Sequence, residues 1–255
     1  MTVVATVGTT HPLGFAGLTF AALALAAEAV RPVCIVAGVT AQDAARVTAR
    51  SAIDAATIRA QFDALRGVPV GAFHVGALLS ADAVRAVAAG LAAYPDIPAV
   101  IDPVMAASGG AELAGAETRA ALRDVLVPRA TLLTPNLDEA SALLGTRVSG
   151  VAAMQDAAAR LVALGANSVL VKGGHLDGDP VDAYADAHVA RTFSSPRVHG
   201  TMRGTGDLLA VTIAASLARG APIGEAIERA RHRVRETLAR SVVFCGERVA
   251  PLGTG

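Results

Sequence analysis

Four consecutive stretches decide the fold: ADAVRAVAAGLAA (Ala81–Ala93), AVID (Ala99–Asp102), ETRAALRDVLV (Glu117–Val127) and ATLLT (Ala130–Thr134). The second and fourth are short and apolar at nearly every position. The first and third are longer and carry a helical pattern. Strands that are apolar on both faces are buried on both, as in a parallel sheet covered by helices. The alternation runs on in both directions. Further strands are expected at Val3–Val7, Val33–Val39, Ala72–Val75 and Ser168–Val171, and further helices at Leu18–Ala29, Ala55–Leu65, Leu137–Leu144 and Ala152–Leu164. Beyond Lys172 the pattern changes. Asp182–Asp186 and His188–Phe193 read as an antiparallel pair, followed by helices over Asp207–Arg219 and Ile223–Arg240. No linker tract, heptad run or repeat divides the chain, so residues 1–255 read as one α/β domain with a mostly parallel sheet.

Composition narrows the function. The chain is 53% hydrophobic and 17% charged, with formal net charge zero. Such a chain is not disordered and has no general attraction for nucleic acid or anionic lipid. With no Trp and two Tyr it lacks the platforms on which large aromatic ligands stack. A small-molecule substrate is expected. Cys34 and Cys245 stand in no metal spacing and point to a reducing compartment. Leu18–Val30 is rich in Ala and Leu, like the core of a secretory signal. The first basic residue is Arg31, however, and the unbroken apolar run Phe20–Ala27 is too short to span a bilayer. A buried Ala-rich helix and a cytoplasmic location are expected.

Open α/β sheets bind ligands beyond the carboxyl ends of their strands. Four segments there carry polar groups. Arg203-Gly204-Thr205-Gly206-Asp207-Leu208-Leu209 sets two glycines and an Asp before a long apolar helix. Backbone N–H groups and the helix dipole form an anion site at such a start, and a carboxylate beside it can serve as a base for an attacking hydroxyl. Asp207 as a simple N-cap is the other reading. Thr134-Pro135-Asn136-Leu137-Asp138-Glu139-Ala140 places Asn136 and Glu139 on one face of a helix's first turn. That pair could hold a hydrated Mg²⁺, but taken alone it reads more readily as a capping box. Val171-Lys172-Gly173-Gly174-His175 holds the only lysine beside 21 arginines, either a compact charge suited to phosphate or a chance surface lysine. Asp102 ends a buried strand in Ile101-Asp102-Pro103-Val104-Met105, where a charge needs a partner or a metal, or else satisfies the N–H groups of its loop.

Taken in order, D-P-V-M, T-P-N-x-x-E-A, V-K-G-G-H and G-T-G-D resemble the motifs of the ribokinase-like small-molecule kinases. Ser108-Gly109, Leu132 through Leu137 and Lys172 through Leu176 are most similar to the hydroxymethylpyrimidine/phosphomethylpyrimidine kinases of thiamin biosynthesis. The resemblance runs from Gly8 to the last helix. It implies a three-layer sandwich, ATP and Mg²⁺ as cofactors, and a homodimer as a common assembly.

The resemblance also implies roles. Gly204, Thr205 and Gly206 would form the anion hole for the transferred phosphoryl group, with Asp207 in the place of the catalytic base. Asn136 and Glu139 would organise Mg²⁺ and the phosphate tail, Lys172 would approach those phosphates, and Gly8, Gln42 and Val104 would match positions of the pyrimidine pocket. The segment Asp43–Ile53 would be a flap over the substrate. Some positions depart from the family. Asp207 stands where the pyrimidine kinases usually have Cys, as in pyridoxal kinases. The glycine loop after Gly8 lacks its two acidic residues, with Thr10 or His11 at one position and Ala21 at the other. Phe15 replaces a glycine of that loop. Ala77 stands in place of a Met, and Ala107 in place of a Lys. Pyridoxal kinase is therefore the nearest alternative. A nucleoside or sugar kinase and a non-catalytic binder of a thiamin precursor or nucleotide are others.

Overall fold

The computed structural model describes every residue except Ala44, Ser108 and 253–255. The Ser108 position of the family resemblance therefore lies outside the described residues. Among the described residues eleven strands are ordered as β1 (Val3–Thr10), β2 (Arg31–Gln42), β3 (Val47–Ala52), β4 (Ala72–Val75), β5 (Ala99–Ile101), β6 (Leu132–Leu133), β7 (Ser168–Val171), β8 (Val181–Asp186), β9 (Ala190–Ser194), β10 (Val242–Phe244) and β11 (Glu247–Val249). The α-helices are α1 (Gly17–Ala26), α2 (Ala55–Asp63), α3 (Ala81–Ala92), α4 (Ala116–Ala121), α5 (Leu137–Leu144), α6 (Val151–Ala163), α7 (Thr205–Leu217) and α8 (Ile223–Ala239).

Nine strands make one sheet in the order β3-β2-β1-β4-β5-β6-β7-β8-β9. The six from β2 to β7 are mutually parallel, while the edge pairings β2–β3, β7–β8 and β8–β9 are antiparallel. Side chains of a strand alternate between faces, so the sheet feeds two cores. Ala5, Val7, Phe73, Val75, Ile101, Leu133 and Val169 face one core, which residues of α2, α3, α5 and α6 complete. Val4, Ala72, Val100, Leu132 and Leu170 face the other, against α1, α7 and α8. This is the three-layer sandwich. The abundance of alanine serves it directly: Ala210, Ala214 and Ala215 of α7 and Ala21 of α1 are fully buried where helices lie close on the sheet.

Register places the site. Val7 pairs with Val75, Val75 with Ile101, and Ile101 with Leu133. The residues that follow, Gly8, Gly76, Asp102 and Thr134, therefore line up along one carboxyl edge. The chain leaves β1 toward β2 on one side and returns to β4 on the other, so β1 and β4 flank the switch point where such sheets open a crevice.

Several boundaries differ from expectation for local reasons. β2 runs on to Gln42 because β3 pairs with its far end, and the expected flap is thus a β-hairpin. The helix expected over Glu117–Val127 is α-helical only to Ala121. It widens to a π-turn over Leu122–Leu126 and ends in a 3₁₀ turn containing Pro128. The strand expected from His188 starts at Ala190, because Asp186 Oδ1 accepts the His188 and Val189 N–H groups (both 2.8 Å) and makes a turn there. The hairpin β10–β11 has no counterpart in the sequence reading.

Candidate active site

Asp102, Thr134, Lys172 and the start of α7 meet above the aligned strand ends. Lys172 Nζ donates to Asp102 Oδ1 at 2.6 Å, with side-chain exposures of 14% and 2%. Thr134 Oγ1 donates to the same oxygen at 3.2 Å. The backbone is tied as well: Lys172 N–H donates to Pro135 O at 2.8 Å, and Asn136 and Lys172 form a parallel bridge. A Cβ on Gly206 would lie 3.4 Å from both Lys172 Nζ and Asp102 Oδ2, so the glycine leaves the space between helix start and ion pair open.

Gly204 turns the chain into α7 in the left-handed region, with φ 78°. A side chain there would be strained and would meet the Phe15 carbonyl oxygen, 2.6 Å from its Cβ. Asp207 lies in the first turn of α7, where the Gly17 N–H donates to its carboxylate. Burial pushes Asp207 up to about 6, Asp102 adds to the rise, and the Gly17 N–H and Lys172 oppose it. At neutral pH the group is an ionised carboxylate of raised basicity.

Asn136 and Glu139 form a complete capping box. Asn136 N–H donates to Glu139 Oε2 (2.8 Å) and Glu139 N–H to Asn136 Oδ1 (2.9 Å). Both side chains thus hold the first turn of α5 whatever else they do. Glu139 is buried, and burial pushes it up to about 7 against the pull of Lys172. Lys172 is opposed by burial, yet its pKa is raised because Asp102, Glu139 and Asp207 all favour its charge. One ammonium therefore faces three carboxyl groups. Local charge is acidic rather than basic, and a divalent cation brought with phosphates fits it. Among the described residues no three His, Cys, Asp or Glu side chains form a ready metal cage.

Of the expected pocket residues, Gly8 and Val104 lie at the aligned strand ends, whereas Gln42 stands at the far end of β2, six residues beyond the Val36 that pairs with Gly8. Gly8 lies in β1 beside Ala77, whose carbonyl oxygen would be 3.7 Å from a Cβ at Gly8. Val104 follows Asp102 in a tight turn, its N–H donating to Asp102 O at 2.8 Å. Gln42 ends β2 and pairs with Val47 in the β2–β3 hairpin. With Arg46, Ala107, Gly109 and Arg203 it lines a small cavity of about 10 Å³. The hairpin already leans on the loop after β5: Arg50 Nη1 donates to Glu112 O at 2.5 Å, and Ala45 O would be 3.2 Å from a Cβ at Gly109.

Sequence reasoning missed His74, Gly17 and the Arg203 contacts. His74 is buried on β4, with Nδ1 2.9 Å from Thr6 Oγ1 and Nε2 without a hydrogen-bond partner. Burial lowers it to about 4, so the ring is neutral. Its Cε1 and Asp207 Oδ1 approach the same point beside Gly76, at 3.9 Å and 3.8 Å. A polar residue in the middle of an apolar strand was the only available signal. Gly17 acts through its backbone, which no residue identity reveals.

Residues 12–252 match the phosphomethylpyrimidine kinase family. The chain belongs to this family. Its curated relatives include a hydroxymethylpyrimidine/phosphomethylpyrimidine kinase of Synechococcus elongatus, 38% identical over 248 residues that cover 94% of this chain and 92% of the relative. A thiamine biosynthesis bifunctional protein of Geobacter sulfurreducens is 40% identical over 207 residues, covering 80% of this chain. This chain spans 42% of that protein's length. Among solved structures, a phosphomethylpyrimidine kinase of Clostridium difficile superposes with TM-score 0.82 at 26% identity, over 92% of this chain and 99% of the other. A pyridoxal kinase of Bacillus subtilis, solved with ADP, superposes with TM-score 0.89 at 29% identity, over 99% and 97%. The ribokinase-like fold and phosphotransferase class expected from the motifs are thereby established.

Proposed function

We propose that residues 1–255 act as one kinase domain that transfers the γ-phosphoryl group of ATP to the hydroxymethyl group of hydroxymethylpyrimidine, of its monophosphate, or of both. The observation that carries the phosphoryl transfer in this reading is Asp207 at the start of α7, while the family match carries the pyrimidine substrate. That residue is a carboxylate of raised basicity beside a glycine-framed helix N-terminus and an Asp102–Lys172 pair. Asp207 takes the hydroxyl proton, and the oxygen attacks phosphorus in line. The amides of Gly204, Thr205 and Gly206 and the Lys172 ammonium face the charge that develops on the phosphoryl oxygens. Such preorganised electrostatics is usually the largest catalytic contribution. Asp102, Glu139 and Asn136 would hold Mg²⁺ through its water shell, and the ion would neutralise charge across the phosphates. Gly8, Gln42 and Val104 line the substrate side, with Gln42 offering its amide to ring nitrogens.

The setting is cytoplasmic, and no helix of the described residues is long and apolar enough to cross a membrane. The family's common homodimer is the assembly we favour.

A second reading, pyridoxal kinase, is favoured by Asp207 at the usual Cys position and by the likeness to the Bacillus subtilis enzyme. ADP release measured with hydroxymethylpyrimidine, its monophosphate and pyridoxal separates the readings. Turnover on either pyrimidine at kcat/KM well above pyridoxal is expected. Preference for pyridoxal reverses the order, and tight ligand binding without turnover on any alcohol points to a non-catalytic binder.

A further inference from the structure

The hairpin β10–β11 lies outside both cores. Val242, Val243 and Phe244 are 47%, 72% and 54% exposed, and two strands alone are marginally stable. Its inward contacts nevertheless converge on the loops around Asp207. Arg203, the residue before Gly204, meets Glu247 of β11 fork to fork: Nε to Oε2 at 3.0 Å and Nη2 to Oε1 at 2.9 Å. The Arg203 N–H also donates to Arg248 O at 3.0 Å. From β10, the Phe244 ring stands edge-on to Phe15, with centroids 6.0 Å apart and planes at 88°. Phe15 belongs to the glycine loop whose Gly17 N–H bonds Asp207, and its carbonyl oxygen abuts Gly204.

We infer that this hairpin is a strap that holds the phosphate-binding turn in shape, with Glu247 as a positioning residue acting through Arg203. The inference rests on the reading of Gly204–Gly206 as the anion hole. Backbone amides stabilise an anion only while they point at it, and these open a helix through Gly204 and Gly206, two glycines on either side of Thr205, which constrain the backbone least. A bidentate guanidinium–carboxylate pair with a main-chain bond alongside supplies the missing constraint from outside the turn. Arg203 also lines the small cavity with Gln42, so the same anchor reaches the flap side of the site.

Glu247→Gln and Glu247→Ala test this, with Glu247→Asp as the conservative variant. Expected for the first two is a rise of about five- to tenfold in KM for ATP and a matching loss of ADP affinity by calorimetry, since a tenfold change needs only the strength of one good charge-assisted contact. Affinity for adenosine, which has no phosphate, and the thermal midpoint should stay as in the parent, and Glu247→Asp should recover part of the loss. KM and ADP affinity within twofold of the parent in Glu247→Ala would overturn the inference. So would equal losses for ADP and adenosine with a lowered midpoint, which is the mark of a merely structural role. Gly206→Ala tests the underlying reading separately: unchanged ADP affinity there removes the anion hole whatever Glu247 does.

Discussion

Replacing Asp207 with Asn should make the protein more stable and nearly inactive, and the two effects should depend on pH differently. Asp207 sits at about 6 in the fold against 3.8 in a free chain, chiefly because it is buried. A raised carboxyl pKa means that the folded protein keeps a proton that the unfolded chain has lost. The penalty is therefore absent below pH 4, grows between 4 and 6, and is complete above 6. Each unit is worth about 1.4 kcal/mol, so the ionised group costs the fold about 2–3 kcal/mol at pH 8. Asn keeps the shape and an acceptor for the Gly17 N–H, so most of that is regained. For a chain of this size about 2 kcal/mol raises the midpoint by roughly 4–8 °C. Thermal unfolding of parent and variant at pH 4 and pH 8 measures it. The gain should appear at pH 8 and vanish near pH 4. Loss of the base should lower kcat by about 10²–10⁴-fold, with ADP affinity little changed. A gain equal at both pH values would refute the burial argument, and near-normal kcat would remove Asp207 from the role of base.

Lys172→Gln leaves Asp102 buried with only the Thr134 hydroxyl. Breaking a buried pair costs about 3–5 kcal/mol, so the midpoint should fall by roughly 6–20 °C, and Asp102→Asn in the same chain should restore part of it; a single variant as stable as the parent would refute the pairing. Gly204→Ala forces a side chain into the left-handed region against the Phe15 oxygen. A stability loss of at least about 1 kcal/mol and a reduced kcat are expected from denaturation and ADP-release assays, and an unchanged protein would show that the turn is not constrained.

What was legible in the sequence is what local chemistry encodes. β-branched runs broken by helical patterns specify parallel strands and crossovers, because apolar residues on both faces have nowhere else to go. The capping box of Asn136 and Glu139 was readable because its two hydrogen bonds join residues three apart. Gly204 and Gly206 before Asp207 declared a helix start. Lys172 stood out only as a rarity, and its partner Asp102, 70 residues away, follows from register: β5, β6 and β7 must lie side by side before a strand-end acid and a strand-end lysine can touch. The crowding of three carboxyls around that lysine, and hence the acidic character of the site, likewise arises only on folding. The same holds for His74, whose neutrality is a consequence of burial, and for β10–β11. That hairpin is exposed and carries no periodic signal, and its purpose lies in contacts with residues 15 and 203, distant in the chain. Local hydrogen bonding and hydrophobic period belong to the sequence alone, whereas pKa, pairing and the rigidity of a glycine turn depend on which remote groups the sheet brings into reach.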